Sequence, residues 1–410
     1  MNKIDYDFIS DLQVKHYQLK KTKICIVARG RIVGKYFESL RMTEDVKLLS
    51  NFFKEIHVIM LHPDSSFKYK LKNNVIIHTN RVLFPENIVL STILSIISSF
   101  ITLLKIHLEK KIDLIYTQEP VLTGSISILI SKIFRVPVIV KCGGNVSEIT
   151  YHTLKDKNYK QYTIKLITFI IKFTQYFVFS LANGVIAVSP DTYLLARRYG
   201  AKNVTILGVT LNDYLFHTFE TKKLPYLSPN KFTFLTTGRL VSEKGLTYLI
   251  KAAQKFKNTN IQFVIVGDGA QMDVLQKLTK SLGLEDFVFF TGRISYKKMP
   301  QIYNMADAYI SPSLTEGMSV SILEAMACGK PVIATSVGAV PLIFKNEENI
   351  LMIPSRDIKE LTNKIVNMYE DPKLRLKLSK NARTYVIQKF GIKKFIEKEL
   401  IFFDKIVENI

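Results

Sequence analysis

The 410-residue chain predicts an α/β fold built from two doubly wound domains, and three observations carry that expectation. Its length exceeds what one ordinary hydrophobic core accommodates. In both halves, short apolar runs rich in Val and Ile alternate with longer helix-favouring segments, the pattern of a parallel sheet covered by helices on both faces. Between the halves, residues 208–231 lose this alternation and carry Pro225 and Pro229, which puts the domain junction there.

In order, KICIVARG reads as a first strand, YFESLRMTEDVKLLSNF as a helix and EIHVIML as a second strand. NVIIHT, a long helix beyond Pro85, DLIYTQEP, the helix VLTGSISILISKIF and the strand PVIVKCGG continue the alternation. A strongly apolar helix over TIKLITFIIKFTQYFVFSLA then leads into the strand GVIAVS. The second half restarts with KFTFLTTG, LTYLIKAAQKF, IQFVIVGDG, QMDVLQKLTKSLG, DFVFFTG and KMPQIYNMA, and NILMIP is its last strand. Helices fill the tail. The expected division is a first domain over 1–215, a second over 216–390, and a helix over 391–410 that packs back toward the first. Ligands of such sheets bind at the carboxyl ends of the strands.

An excess of 57 Lys and Arg over 35 Asp and Glu gives a net charge of +22, spread over both halves. A dispersed charge suits an anionic membrane surface, a phosphorylated substrate or nucleic acid. Nucleic acid is the poorest fit, because the basic residues form no cluster with aromatics and no recognisable module. Cys25, Cys142 and Cys328 lack zinc or redox spacing and suggest a reducing compartment, and MNKIDYDFISDLQ lacks the apolar core of a secretory signal. A cytoplasmic protein is expected. Residues 87–104 contain no charge and are long enough to raise a membrane span, but Ser and Thr interrupt them, which favours a buried or membrane-touching helix. Segments 88–108 and 160–181 set apolar residues beside lysines, so they either cover the sheet or rest on anionic lipid as a peripheral contact.

Chemistry concentrates at residues 311–341, SPSLTEGMSVSILEAMACGKPVIATSVGAVP. A strand ends near Pro312, a loop carries Glu316 and Gly317, and a helix begins near Ser319 and stops before Gly329 and Pro331. Glu324 sits inside that helix. The backbone N–H groups of Met318, Ser319 and Val320 and the positive end of the helix dipole favour a phosphate between the two carboxylates. The structural alternative is that Glu316 caps the helix and Glu324 lies on a solvated face. In TGRLVSEKG, Gly238 permits close backbone approach while Arg239 offers a fork and Lys244 a point charge to phosphate oxygens; the alternative is solvated surface. Gly267 in VGDGAQM belongs to an incomplete dinucleotide fingerprint. Gly292, Arg293 and Ile294 in FTGRIS either border a nucleotide base or end a strand. In the first half, ARGRIVG supplies Gly30 and Gly34 for close approach, but Arg29 and Tyr36 stand where a Walker loop needs Gly and Ser or Thr.

The succession GRLVSEKG, FVIVGDG, FVFFTGR, ADAYISPS, EGMSVSILEAMACGKPVIA and GAVP resembles the nucleotide-sugar half of the group 1 glycosyltransferases, glycosyltransferase family 4, over about residues 232–390. The resemblance implies a GT-B fold: two facing Rossmann-like domains with an interdomain cleft. It also implies retaining transfer of a sugar from a nucleotide-diphosphate donor to a glycan or lipid-linked hydroxyl acceptor, with no metal and no cofactor. Arg239 and Lys244 then match the diphosphate-binding pair, Glu316 the carboxylate near the donor sugar, Glu324 the carboxylate holding the ribose, and Met318 to Val320 the phosphate anchor. Met318-Ser319 replaces the Phe-Gly pair of many relatives, so donor preference does not carry over. Gly143 and Gly144 end the strand where relatives often place a His. None of the seven histidines fills that place, His152 being the nearest. This departure keeps open a catalytically silent nucleotide-sugar-binding protein of the same fold.

Overall fold

The structure, a computed structural model, describes residues 9–31, 41–62, 66, 68–81, 88–156 and 159–408. The chain forms two compact units: one holds Val209–Phe395, and the other runs up to Gly208 and takes back the chain from Ile396.

The N-terminal unit is an eight-stranded sheet of β1 (Lys23–Arg31), β2 (Glu55–His62), β3 (Lys68–Lys72), β4 (Val75–Arg81), β5 (Leu114–Thr117), β6 (Val138–Cys142), β7 (Gly184–Ala187) and β8 (Val204–Ile206), in the order β3-β4-β2-β1-β5-β6-β7-β8. Every pairing is parallel except that of β3 with β4. β3 is a lysine-rich edge, KYKLK, of the kind that resists further strand pairing. β5 and β7 are buried at every position, as central parallel strands covered on both faces must be.

One face of this sheet is covered by the helices Ile88–Lys110, Leu122–Phe134, Gln161–Leu181 and Pro190–Arg198, whose Leu103, Ile126, Val178 and Ala196 join one core cluster with Ile115 and Val140. Opposite Ile115, the next residue Tyr116 packs edge-on to Phe403 of the last helix, Ile392–Glu408, at 5.3 Å. Gly184 of β7 has no room for a side chain, since a Cβ there would lie 2.8 Å from the Phe402 ring. The same helix buries Glu399, which accepts a hydrogen bond from Tyr116 OH at 3.3 Å. Burial pushes the Glu399 carboxyl up to about 7, the charge of Lys141 offsetting part of the shift and that of Asp45 adding to it.

The C-terminal unit is an all-parallel sheet of β9 (Phe232–Thr237), β10 (Ile261–Val266), β11 (Val288–Gly292), β12 (Ala308–Ser311), β13 (Val332–Thr335) and β14 (Leu351–Ile353), in the order β11-β10-β9-β12-β13-β14. The chain builds outward from β9 to β11 and then returns to lay β12 on the other side of β9. That reversal makes the β9/β12 boundary a topological switch point, where the loops leaving two adjacent strands diverge and open a crevice. Two long helices close the unit, Ile358–Glu370 and Pro372–Phe390, each started by an aspartate: Asp357 accepts from Glu360 N and Asp371 from Leu374 N, both at 2.9 Å.

Candidate functional site

The loops predicted to carry chemistry in the C-terminal unit leave the carboxyl ends of its strands, and those after β9 and β12 meet at the switch point. The β9, β10 and β11 loops are linked through their terminal glycines. Gly238 N donates to Val266 O and Gly267 N to Gly292 O, both at 3.0 Å. Gly267 has φ +141°, and a Cβ there would lie 1.8 Å from Gly238 O, so this glycine is required by loop-to-loop packing whatever binds above it.

Lys244 ends the short 3-10 turn Ser242–Lys244 in the β9 loop, and its Nζ donates to Glu316 Oε2 at 2.5 Å. Ser313 Oγ donates to the same oxygen at 3.3 Å. Glu316 is therefore held by Lys244 and Ser313, and the alternative that it caps the following helix is not what the structure shows. That helix, Val320–Ala327, has Ser319 at its N-cap with no side-chain capping bond. The Ser319 hydroxyl instead pairs with Ser321 Oγ at 3.0 Å. The helix start is thus free of any side-chain cap. Arg239 is exposed, and its guanidinium has no hydrogen-bond or ion-pair partner among the described residues. Together with Gly238, Lys244, Ser311, Ser313 and Ser321 it lines a shallow recess at the switch point.

Glu324 is 7% exposed, which overturns the solvated-face alternative. Its Oε2 accepts from Tyr303 OH at 2.9 Å, and Thr237 Oγ1 lies 2.9 Å from the same hydroxyl and 3.2 Å from Tyr309 OH. Burial, reinforced by the Glu324 charge, raises Tyr303 well above the ordinary phenol range, and burial pushes Tyr309 up to about 12. Both phenols stay protonated and serve as donors, tying the end of β9 to the middle of the helix that follows β12.

Two glycines shape the Glu316 loop from outside it. A Cβ on Gly338 (φ +56°) would lie 1.6 Å from Glu316 O, and one on Gly245 (φ +61°) 2.1 Å from Pro312 O. Ala339 N also donates to Gly317 O at 2.9 Å. Tyr303, Tyr309, Thr237, Gly245 and Gly338 were not singled out from the sequence. Only the two glycines carried a signal, each standing just before a helical segment in a strand-end loop.

The remaining predicted residues divide between surface and core. Met318 and Ile294 are partly buried and pack on the core cluster of this unit, whereas Arg293 is exposed. Gly292 has φ +69° and open space around it. In the N-terminal unit, Gly30 lies near the end of β1, and Gly143 and Gly144 follow β6, with open space around Gly143. Gly34 and the side chain of His152 fall outside the described residues.

Residues 219–385 match the family model of the group 1 glycosyl transferases. An α-D-kanosaminyltransferase of Streptomyces kanamyceticus is 30% identical over 160 residues, 38% of this chain and 42% of that one. The UDP-Gal:α-D-GlcNAc-diphosphoundecaprenol α-1,3-galactosyltransferase of Escherichia coli is 26% identical over 313 residues, 73% of this chain and 77% of that one. Among solved structures, a sucrose-phosphate synthase of Thermosynechococcus elongatus superposes with a TM-score of 0.77 at 19% identity, covering 95% of this chain and 100% of that one. The Anabaena protein HepE, solved in complex with UDP-glucose, gives 0.69 at 20% identity, with 95% and 100% covered. With its strand-end loops in the family's order, the stretch 219–385 matches the group 1 glycosyl transferases, and the chain's two parallel-dominated α/β sheets have the two-domain GT-B fold.

Proposed function

We propose that the protein transfers a sugar from a nucleoside-diphosphate donor to a hydroxyl acceptor, with retention at the anomeric carbon and without a resident metal or cofactor. The observation that carries this reading is the grouping at the β9/β12 switch point: an exposed Arg239, Lys244 bonded to Glu316, and a helix start with no side-chain cap. All three suit the charge that grows on a departing diphosphate. Lys244 reaches a phosphate oxygen while retaining or exchanging its bond to Glu316, and Arg239 takes a second oxygen in its fork. Glu316 orients the sugar hydroxyls, and Glu324, fixed by Tyr303, receives the ribose. The acceptor hydroxyl attacks from the side the diphosphate leaves, a phosphate oxygen takes its proton, and one C–O bond forms as the other breaks.

A uridine donor is favoured by the UDP-glucose bound to the Anabaena protein, and a lipid-linked or polysaccharide acceptor by the names of the Escherichia coli relative and of the lipopolysaccharide core glycosyltransferase LpsD of Rhizobium meliloti. We assign acceptor recognition to the N-terminal unit's loops after β1 and β6, and location to the cytoplasm, in keeping with three buried free thiols. The test is a nucleoside-diphosphate-sugar panel read by thermal shift, followed by NMR of the product formed with the stabilising donor. An α-linked product from an α-linked donor is expected. A donor that stabilises the protein yet is never transferred to lipid-linked or glycan acceptors would support the silent binder instead.

A further inference from the structure

In the helix layer of the N-terminal unit, small residues take several inner positions beside the core aliphatics, and large apolar side chains stand on the outer side. In the helix Ile88–Lys110, Ser91, Ser95 and Ser99 recur every fourth residue on the inner side, each under a tenth exposed. Ile93, Ile97 and Ile101 recur at the same interval on the outer side, 49%, 48% and 57% exposed. The neighbouring helix Leu122–Phe134 buries Gly124, Ser127 and Ser131 alongside its core isoleucines Ile126, Ile128 and Ile130, and presents Leu129 and Ile133 outward. At Gly124 the third helix, Gln161–Leu181, packs tightly, since a Cβ there would lie 2.9 Å from Val178. Small residues that let helices approach closely, with branched aliphatics outside, are the packing habit of helices whose outer solvent is lipid.

The third helix extends the apolar face. Leu166, Phe169, Ile170, Phe173 and Phe177 follow helical spacing along one exposed stripe, with Phe169 at 67% and Phe173 at 64%. Many large apolar side chains exposed along one helix face of a folded unit mark an interaction site. The charges beside them are one-sided. The three helices carry five lysines (Lys105, Lys110, Lys132, Lys165, Lys172) and a single acid, Glu109, which lies beside Lys105.

We infer that this face seats the N-terminal unit on an anionic lipid bilayer, the three helices lying along the surface with Phe169 and Phe173 at the acyl boundary and the lysines among the headgroups. Two of these helices are long and apolar enough to cross a membrane. Their Leu103, Ile106, Val178 and Phe179 are buried against the sheet, so crossing would require dismantling the core, whereas lying on the surface leaves it intact. A second copy of the chain is the poorer partner, because a two-fold pairing of this face sets lysines against lysines with almost no acid to receive them. The inference does not depend on the proposed transfer reaction, and its test needs no donor.

The test is flotation of the full-length protein with phosphatidylcholine vesicles, with and without phosphatidylglycerol. Co-flotation that requires phosphatidylglycerol is expected. Each of Phe169→Gln and Phe173→Gln should lower the partition coefficient about tenfold, and each of Lys165→Glu and Lys172→Glu by at least about fivefold. All four variants should keep the wild-type melting temperature without vesicles, because these side chains lie outside the core. The inference is overturned if the wild type fails to float with either vesicle at low salt, or if the folded variants float as well as the wild type. It is equally overturned by a concentration-dependent dimer that the Phe variants dissolve and vesicles do not affect, which would assign the face to a second copy.

Discussion

Replacing Gly338 by Ala perturbs the candidate site without touching any of its charged groups. The added Cβ would stand 1.6 Å from the Glu316 carbonyl oxygen, against a shortest tolerated approach near 3.0 Å, so the two segments must separate by about 1.4 Å. The obstacle is backbone and cannot rotate away. Glu316 is tied to Lys244 and Ser313 by its side chain, and its neighbour Gly317 to the Gly338 turn through the bond from Ala339 N, so the displacement falls on the carboxylate that orients the sugar. A misplacement of about 1 Å costs on the order of 10²-fold in reaction rate. The left-handed backbone adds roughly 1–2 kcal/mol of instability. Gly208→Ala provides the control, since φ there is +77° and nothing lies within 4 Å of a built Cβ, so it carries backbone strain with no collision. Donor turnover and thermal unfolding of both variants should show a similar loss of melting temperature but a much larger loss of turnover in Gly338→Ala. Equal turnover in the two would refute the idea that the Gly338 turn positions Glu316.

Four further outcomes follow from the same geometry. Lys244 and Glu316 are 23% and 15% exposed, so a double-mutant cycle on Lys244→Ala and Glu316→Ala in urea unfolding should return a coupling of roughly 1.5–3 kcal/mol; additive effects would mean the pair contributes nothing. Lys244→Ala and Arg239→Ala should each lower turnover severely, and near-normal transfer by both would remove them from the diphosphate site. Tyr303→Phe takes a donor from buried Glu324 and should cost roughly 1.5–3 kcal/mol, while Glu324→Gln should weaken donor binding measured by calorimetry; an unchanged donor affinity counts against a ribose contact. Glu399 has an ordinary value of 4.5 raised to about 7, so the folded state holds its proton more tightly than the unfolded chain. Its contribution is full below 4.5, declines between 4.5 and 7 as only the unfolded chain ionises, and is gone above 7, a change of about 3 kcal/mol. Glu399→Gln should flatten that part of the stability profile, and an unchanged slope would place the ionisation elsewhere.

Much of the architecture is legible because parallel strands buried on both faces leave continuous apolar runs, and because the second-half strands β9, β10 and β11 run into glycines. β3 escapes because KYKLK is a half-exposed edge whose lysines hide its alternation, and β8 because three residues make no pattern. The helix Pro190–Arg198 was readable in principle, with Ser189 as cap and Pro190 in the first turn. The chemical types at the site were also legible, but their pairings were not. Lys244 and Glu316 are 72 positions apart and were given to different parts of the ligand, yet they bond to each other. Nothing in the short run KMPQIYNMA distinguishes Tyr303 from a core aromatic, and only packing shows its hydroxyl bonded to Glu324. The helix Ile88–Lys110 defeats periodicity for a related reason: serines and isoleucines recur at the same interval, and nothing in that repeat says which set faces the sheet.

The route of the chain between its two units bears on how the protein is made. Val209–Phe395 is contiguous, but the N-terminal unit needs residues from Ile396 onward, and Phe402 and Phe403 lie against Gly184 and Tyr116. On a ribosome the half synthesised first is therefore the half completed last. Its sheet waits with part of one face uncovered until the final helix leaves the exit tunnel, while Val209–Phe395 of the other unit is already synthesised. A chain terminated after Phe395 would keep Val209–Phe395 whole but strip from the N-terminal unit the Phe403 ring that packs edge-on against both Phe53 and Tyr116, exposing apolar surface that quality-control chaperones and proteases recognise.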